Sequence, residues 1–96
     1  MKWTVNVSKQ VLKKAKQLPP ANKQKLIEFI QELYTTPFPQ GFDIIPVKGK
    51  KTKRAGGWNR SIYRTRFGEY RLIYIVNWKE RIISLAELNP RGKAYK

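Results

Sequence analysis

A chain of 96 residues with 21 Lys and Arg against 6 Asp and Glu carries a formal charge of +15, and its 41% hydrophobic content suits one folded domain over 1–96 rather than a disordered basic tail. The absence of His and Cys excludes disulfides, the usual zinc ligand sets and every Ser-His or Cys-His nucleophile pair. No apolar run is long enough to span a bilayer and the N-terminus lacks a signal-peptide core, so the expectation is a cytoplasmic protein; a polyphosphate is its natural partner, with an acidic protein or an anionic membrane surface as alternatives.

From the N-terminus, Trp3, Val5 and Val7 alternate with Lys2, Thr4 and Asn6, which predicts a strand. Ser8 suits a helix N-cap, and Val11, Leu12, Ala15 and Leu18 follow at helical spacing until Pro19-Pro20. Asn22 or the prolines open a second helix whose apolar set is Leu26, Ile27, Ile30, Leu33 and Tyr34. On its other face Glu28 and Glu32 read as solvated, with Lys25 one turn away. Residues 37–57 form a long Pro- and Gly-rich connection, with a short strand expected at Asp43–Val47. This loop concentrates Lys48, Lys50, Lys51, Lys53 and Arg54, a basic set able to track a phosphate backbone and expected to bind RNA. Three strands follow at about Asn59–Phe67, Glu69–Asn77 and Arg81–Leu88, then a tail over 89–96. Trp58 and Trp78 suit either base stacking or packing at a sheet edge. The order β-α-α-β-β-β describes an α+β fold: two N-terminal helices packed on one face of a small, mainly antiparallel sheet.

The hairpin Tyr63–Tyr74 is the most informative stretch. Gly68 supplies the positive φ that a type II′ turn needs at its first central position. That turn sets Phe67 opposite Tyr70, Arg66 opposite Arg71, Thr65 opposite Leu72 and Arg64 opposite Ile73. Alternation sends Tyr63, Thr65, Phe67, Tyr70, Leu72 and Tyr74 to the helix side and Arg64, Arg66 and Arg71 to the open side. Two cations ~5 Å apart repel by roughly 1 kcal/mol in water and roughly 3 at an effective dielectric of 20. A face that keeps them together suits an anion. Arg91 and Tyr95, just past the last strand, are placed to fold back toward it.

Arg is no base, but it clamps phosphate bidentately and neutralises charge in a transition state. Cations around the Tyr95 phenol favour its ionised form, which makes Tyr95 a candidate general base, a lysine of the 48–53 loop being the other. The chemistry that fits is metal-free RNA cleavage by attack of the RNA's own 2′-hydroxyl. Against it stands the plainer reading, in which the arginines only solubilise a strand face and Tyr95 is a packed anchor.

The segment Arg64-Thr65-Arg66-Phe67-Gly68-Glu69-Tyr70-Arg71-Leu72-Ile73-Tyr74 resembles the core motif of the RelE/ParE toxin superfamily. Val47–Lys51 resembles that family's basic lead-in, and Arg91 with Tyr95 its C-terminal Arg…Tyr. The resemblance implies a type II toxin that enters the ribosomal A site, cleaves the mRNA codon there without metal or cofactor, and is neutralised by a cognate antitoxin covering the open sheet face. It assigns Arg64 and Arg66 to holding the RNA and assisting proton transfer, Arg71 and Arg91 to stabilising the scissile phosphate, and Tyr95 to stacking or acting as base. Some members carry lysines where this chain has Arg64 and Arg66, and others a C-terminal His where it has Ala94. The alternatives are a ParE-like inhibitor of DNA gyrase and a non-catalytic basic RNA-binding protein.

Overall fold

The computed structural model describes residues 2–47 and 60–90. In chain order these form β1 (Thr4–Val7), α1 (Lys9–Ala15), α2 (Pro20–Leu33), β2 (Ile45–Pro46), β3 (Arg60–Phe67), β4 (Tyr70–Asn77) and β5 (Ile82–Pro90). The strands build one sheet in the order β1-β5-β4-β3-β2. β1 runs parallel to β5, and every other pair is antiparallel. The fold is the expected α+β arrangement, extended by the two-residue edge strand β2, which is shorter than Asp43–Val47. No helix of the described residues is long and apolar enough to cross a membrane.

Both helices lie on one side of the sheet and share one core with it. Val11 of α1 and Leu26, Phe29 and Leu33 of α2 pack with Phe67, Leu72, Tyr74, Val76, Ile83, Leu85 and Leu88. Phe29 sits at the centre, fully buried, with ring centroids 5.0 Å from Phe42, 5.6 Å from Phe67 and 5.5 Å from Tyr74. Burying such a side chain stabilises by roughly 1.5–3 kcal/mol. Here the structure corrects the helix reading. Ile27 and Tyr34 are exposed, and the buried stripe is Leu26, Phe29 and Leu33. These are spaced i, i+3, i+7, whereas Ile27 is rotated about 100° from Leu26 around the helix. Leu12 of α1 is likewise exposed. Ser8 does cap α1, its hydroxyl accepting from the Val11 amide at 3.2 Å.

On β5 the core residues Ile83, Leu85 and Leu88 break period-two spacing. A β-bulge reconciles them: Tyr74 pairs with Leu85 and Ile73 with Glu87, so Ala86 is the extra residue and the side-chain parity reverses there. β1 ends at the same level. Beyond it, Gln10 takes over the edge of β5, its amide donating to the Leu88 carbonyl at 3.2 Å and accepting from the Leu88 amide at 2.9 Å.

At the β4–β5 turn, Arg81 adopts a positive φ of 59°. Its guanidinium lies 4.6 Å above the Trp3 ring, an attraction that offsets the cost of that backbone conformation.

Two buried hydroxyls have opposite standing. Tyr74 donates to the Pro37 carbonyl at 2.8 Å, and burial, with the neighbouring Tyr63 second, pushes its phenol well above the usual range. Thr65 Oγ1 is sealed in the core with no hydrogen-bond partner among the described residues. Tyr74→Phe should lose about 1 kcal/mol in urea unfolding at neutral pH. The raised pKa belongs to the folded state, so the Tyr74 contribution is intact below the unfolded value near ~10 and is lost as pH rises past it. The parent should therefore lose stability above that pH more steeply than Tyr74→Phe. Thr65→Val removes the stranded hydroxyl and should raise stability by about 1 kcal/mol in the same measurement.

Candidate functional site

The β3–β4 hairpin turns as its sequence requires. Gly68 has φ +64° and Glu69 keeps a negative φ, the pattern of a type II′ turn. A Cβ at position 68 would collide with the Asn22 side-chain amide, so the hairpin tip seats directly on the first turn of α2. Asn22 is thus a contact for the turn and not a helix cap. The N-cap position of α2 is Pro19, with Pro20 leading the helix.

The pairing is Phe67 with Tyr70, Arg66 with Arg71, Thr65 with Leu72 and Arg64 with Ile73, as the turn dictates. Thr65, Phe67, Leu72 and Tyr74 are buried beneath the helices. The alternate positions therefore face away from both helices. Reading across strands, one row on that face is Arg66, Arg71 and Asn89, and the next is Arg64, Ile73 and Glu87. Arg64 and Arg71 are half-buried and Arg66 is exposed. Directly opposed residues on antiparallel strands have Cα atoms about 4.5–5.5 Å apart, so Arg66 and Arg71 confront each other as like charges. Arg71 Nε is buried and has no hydrogen-bond partner among the described residues, a standing it shares with Arg81 Nε at the β4–β5 turn.

Two carboxylates share the surface. Asp43 Oδ2 lies 3.4 Å from Arg66 Nη2, and both side chains are about half exposed. The register explains it: Ile45 pairs with Arg64, and stepping two residues out along both strands brings Asp43 level with Arg66. Glu87 reaches this face through the bulge at Ala86. It accepts from Asn89 Nδ2 at 3.3 Å, and Asn89 Oδ1 in turn accepts from Gln10 Nε2 at 3.0 Å. The hydrophobic spacing Ile83, Leu85, Leu88 was the signal available for this placement. The middle of the face is apolar, with Ile62 and Ile75 half-buried and Ile73 only 4% exposed.

The remaining site residues of the sequence reading, Lys48, Lys50, Lys51, Lys53, Arg54, Arg91 and Tyr95, lie outside the described residues, as does Trp58. Trp78 sits at the far end of β4 from Arg71. Its indole donates to Ser61 Oγ at 3.1 Å and packs edge-on against Trp3 at 5.6 Å. An open cleft of about 640 Å³ between α2 and the following loop is lined by Glu28, Glu32, Phe38 and Phe42 among others, and its carboxylates are wrong for an anion. Among the described residues no three Asp, Glu, His or Cys side chains cluster as a metal site would require. Arg66 and Arg71 thus stand opposed on a sheet face that neither helix covers.

No family model matches the chain. Over 97 aligned residues it is 40% identical to a relative in Methanocaldococcus jannaschii named as the toxin RelE1, covering 100% of this chain and 98% of the relative. A crystal structure of the archaeal RelE–RelB complex from Pyrococcus horikoshii matches with a TM-score of 0.78 and 38% identity, over 98% of this chain and 100% of that one. The intact Escherichia coli RelBE toxin–antitoxin complex matches with a TM-score of 0.62 at 14% identity, over 95% of this chain and 99% of that one, a likeness of fold alone.

If Asp43 competes with an anion for Arg66, Asp43→Asn should tighten binding of a short single-stranded oligonucleotide. The gain should be up to about 5-fold at low salt, the worth of an exposed ion pair, and should shrink as salt rises. Fluorescence anisotropy over a salt series measures both.

Proposed function

The chain belongs to the RelE family of toxins from type II toxin–antitoxin pairs, and on that footing we propose that it is a ribosome-dependent endoribonuclease that stops translation by cutting mRNA in the ribosomal A site. The observation that carries the reading is the opposed Arg66 and Arg71 pair on a sheet face left open by both helices. A backbone phosphate relieves the repulsion between the two cations and accepts hydrogen bonds from their exposed nitrogens.

In this mechanism the RNA provides its own nucleophile. The 2′-hydroxyl attacks the neighbouring phosphorus, and negative charge grows on the non-bridging oxygens. Arg71 stabilises that charge, Arg66 and Arg64 hold the strand, and Arg91 and Tyr95 complete the set from the tail. Lys48, Lys50, Lys51, Lys53 and Arg54 track the RNA backbone. The chemistry is metal-free: a guanidinium supplies positive charge where other nucleases use a cation.

The same face is the surface we assign to the antitoxin. The Pyrococcus horikoshii protein is described in a complex with RelB, which supports a protein partner for this chain. Ile62 and Ile75 beside the arginines, each half-buried, offer such a partner apolar surface together with charge. Its binding and RNA binding are then mutually exclusive. The targets place the active protein in the cytoplasm.

Induced expression should halt translation and create new mRNA 5′ ends at A-site codons, read by mapping 5′ ends across the transcriptome. Arg71→Ala should lower cleavage by about 10²–10³-fold, the usual cost of removing one preorganised donor to transition-state charge. Its circular dichroism should match the parent. Intact mRNA beside inhibited gyrase supercoiling would instead identify the gyrase-directed alternative.

A further inference from the structure

The geometry points to Glu87 as a catalytic residue, the base that takes the proton from the RNA 2′-hydroxyl; this deepens the nuclease reading above and rests on it. Strict alternation from Ile83 and Leu85 would turn Glu87 toward the helices. The bulge at Ala86 reverses the parity and delivers the side chain to the arginine face, in the row of Ile73 and Arg64. Bulges are enriched beside active sites because they re-aim side chains in this way.

The surroundings of Glu87 are those of a group left available. Arg71 is its diagonal neighbour across β4 and β5, a spacing of about 7–8 Å within reach of both long side chains. Yet no ion pair joins them among the described residues, whereas Arg66 pairs with Asp43. Glu87 is instead oriented from the side. Gln10 of α1 holds Asn89, and Asn89 donates to Glu87 Oε1. Guanidinium and carboxylate therefore share one surface, diagonal to each other and not joined in an ion pair among the described residues. The 2′-hydroxyl is next to the phosphate that Arg71 would hold, which brings it to the carboxylate. Among the titratable groups on this face of the described strands, Arg64, Arg66 and Arg71 accept no proton. Asp43 is engaged by Arg66, so Glu87 is the proton acceptor those strands offer, while Tyr95 and the loop lysines lie outside the described residues.

The step balances without a cofactor. Glu87 takes the 2′-hydroxyl proton as the 2′-oxygen bonds to phosphorus. The bond from phosphorus to the 5′-oxygen breaks, and that oxygen leaves with the electron pair and takes a proton from water. The hydroxide so formed is neutralised by the proton on Glu87. The products are a 2′,3′-cyclic phosphate and a 5′-hydroxyl.

A carboxylate on an RNA-binding face repels phosphate, so its charge works against binding while its basicity serves the reaction. Glu87→Gln separates the two. Single-turnover cleavage of ribosome-bound mRNA should fall by about 10²-fold or more, the ordinary contribution of a general base. Binding of a single-stranded RNA oligonucleotide should stay equal or tighten, and the acid limb of the pH–rate profile should disappear. Glu87→Asp should restore part of the rate. Cleavage by Glu87→Gln at the parental rate, or a slower rate with the acid limb retained, overturns the inference while leaving the nuclease reading standing. A parent protein that leaves ribosome-bound mRNA intact overturns both.

Discussion

Burial of Phe67, Leu72 and Tyr74 against Phe29 forces the intervening arginines to the opposite side of the sheet. Side chains on a strand alternate with a period of two, so the core chooses the face for everything else on β3 and β4. The Gly68 turn then sets which residues confront each other, and its seat on Asn22 ties the hairpin tip to α2. A slip of one residue would drive guanidiniums into the apolar layer. The packing energy of the aromatic centre thus holds together a pair of like charges that an isolated hairpin would reject.

The surface produced in this way is not uniformly cationic. Asp43 and Glu87 flank the guanidiniums, and a strip of isoleucines runs beside them. A charge of +15 attracts polyanions at long range, and such attraction by itself does not distinguish one phosphate from another. Acidic groups at the margins narrow the region where an anion is welcome. Arg66 is partly satisfied by Asp43, whereas Arg71 keeps a buried donor without a partner among the described residues. The two opposed residues are therefore chemically unequal.

What the amino-acid order made legible was local and periodic. The register of the hairpin, the turn at Gly68, the cap at Ser8 and the division of the hairpin between two faces follow from spacing and from glycine's freedom at positive φ. What it hid depended on tertiary choice. Ile27 and Phe29 are comparably apolar, and only the aromatic surroundings of Phe42, Phe67 and Tyr74 select Phe29 for the interior. The bulge at Ala86 was written in the spacing of Ile83, Leu85 and Leu88, but it has meaning only once β5 has a helix-covered side. Asp43 was obscured because its partner is set by β2, a strand of two residues with little pattern of its own. The family resemblance of residues 64–74 supplied the fold and an expectation of chemistry, yet it offered nothing about Glu87.

Gln10 deserves a last look as a plug. Where β1 stops, a bare strand margin at Leu88 would be a docking slot for any extended segment, including one from another copy. The Gln10 carboxamide fills that slot with one donor and one acceptor, mimicking a peptide unit without prolonging the strand. Continuous strand addition along that border is therefore interrupted, and no partner can zip onto β5 beyond the bulge without first evicting a side chain of α1.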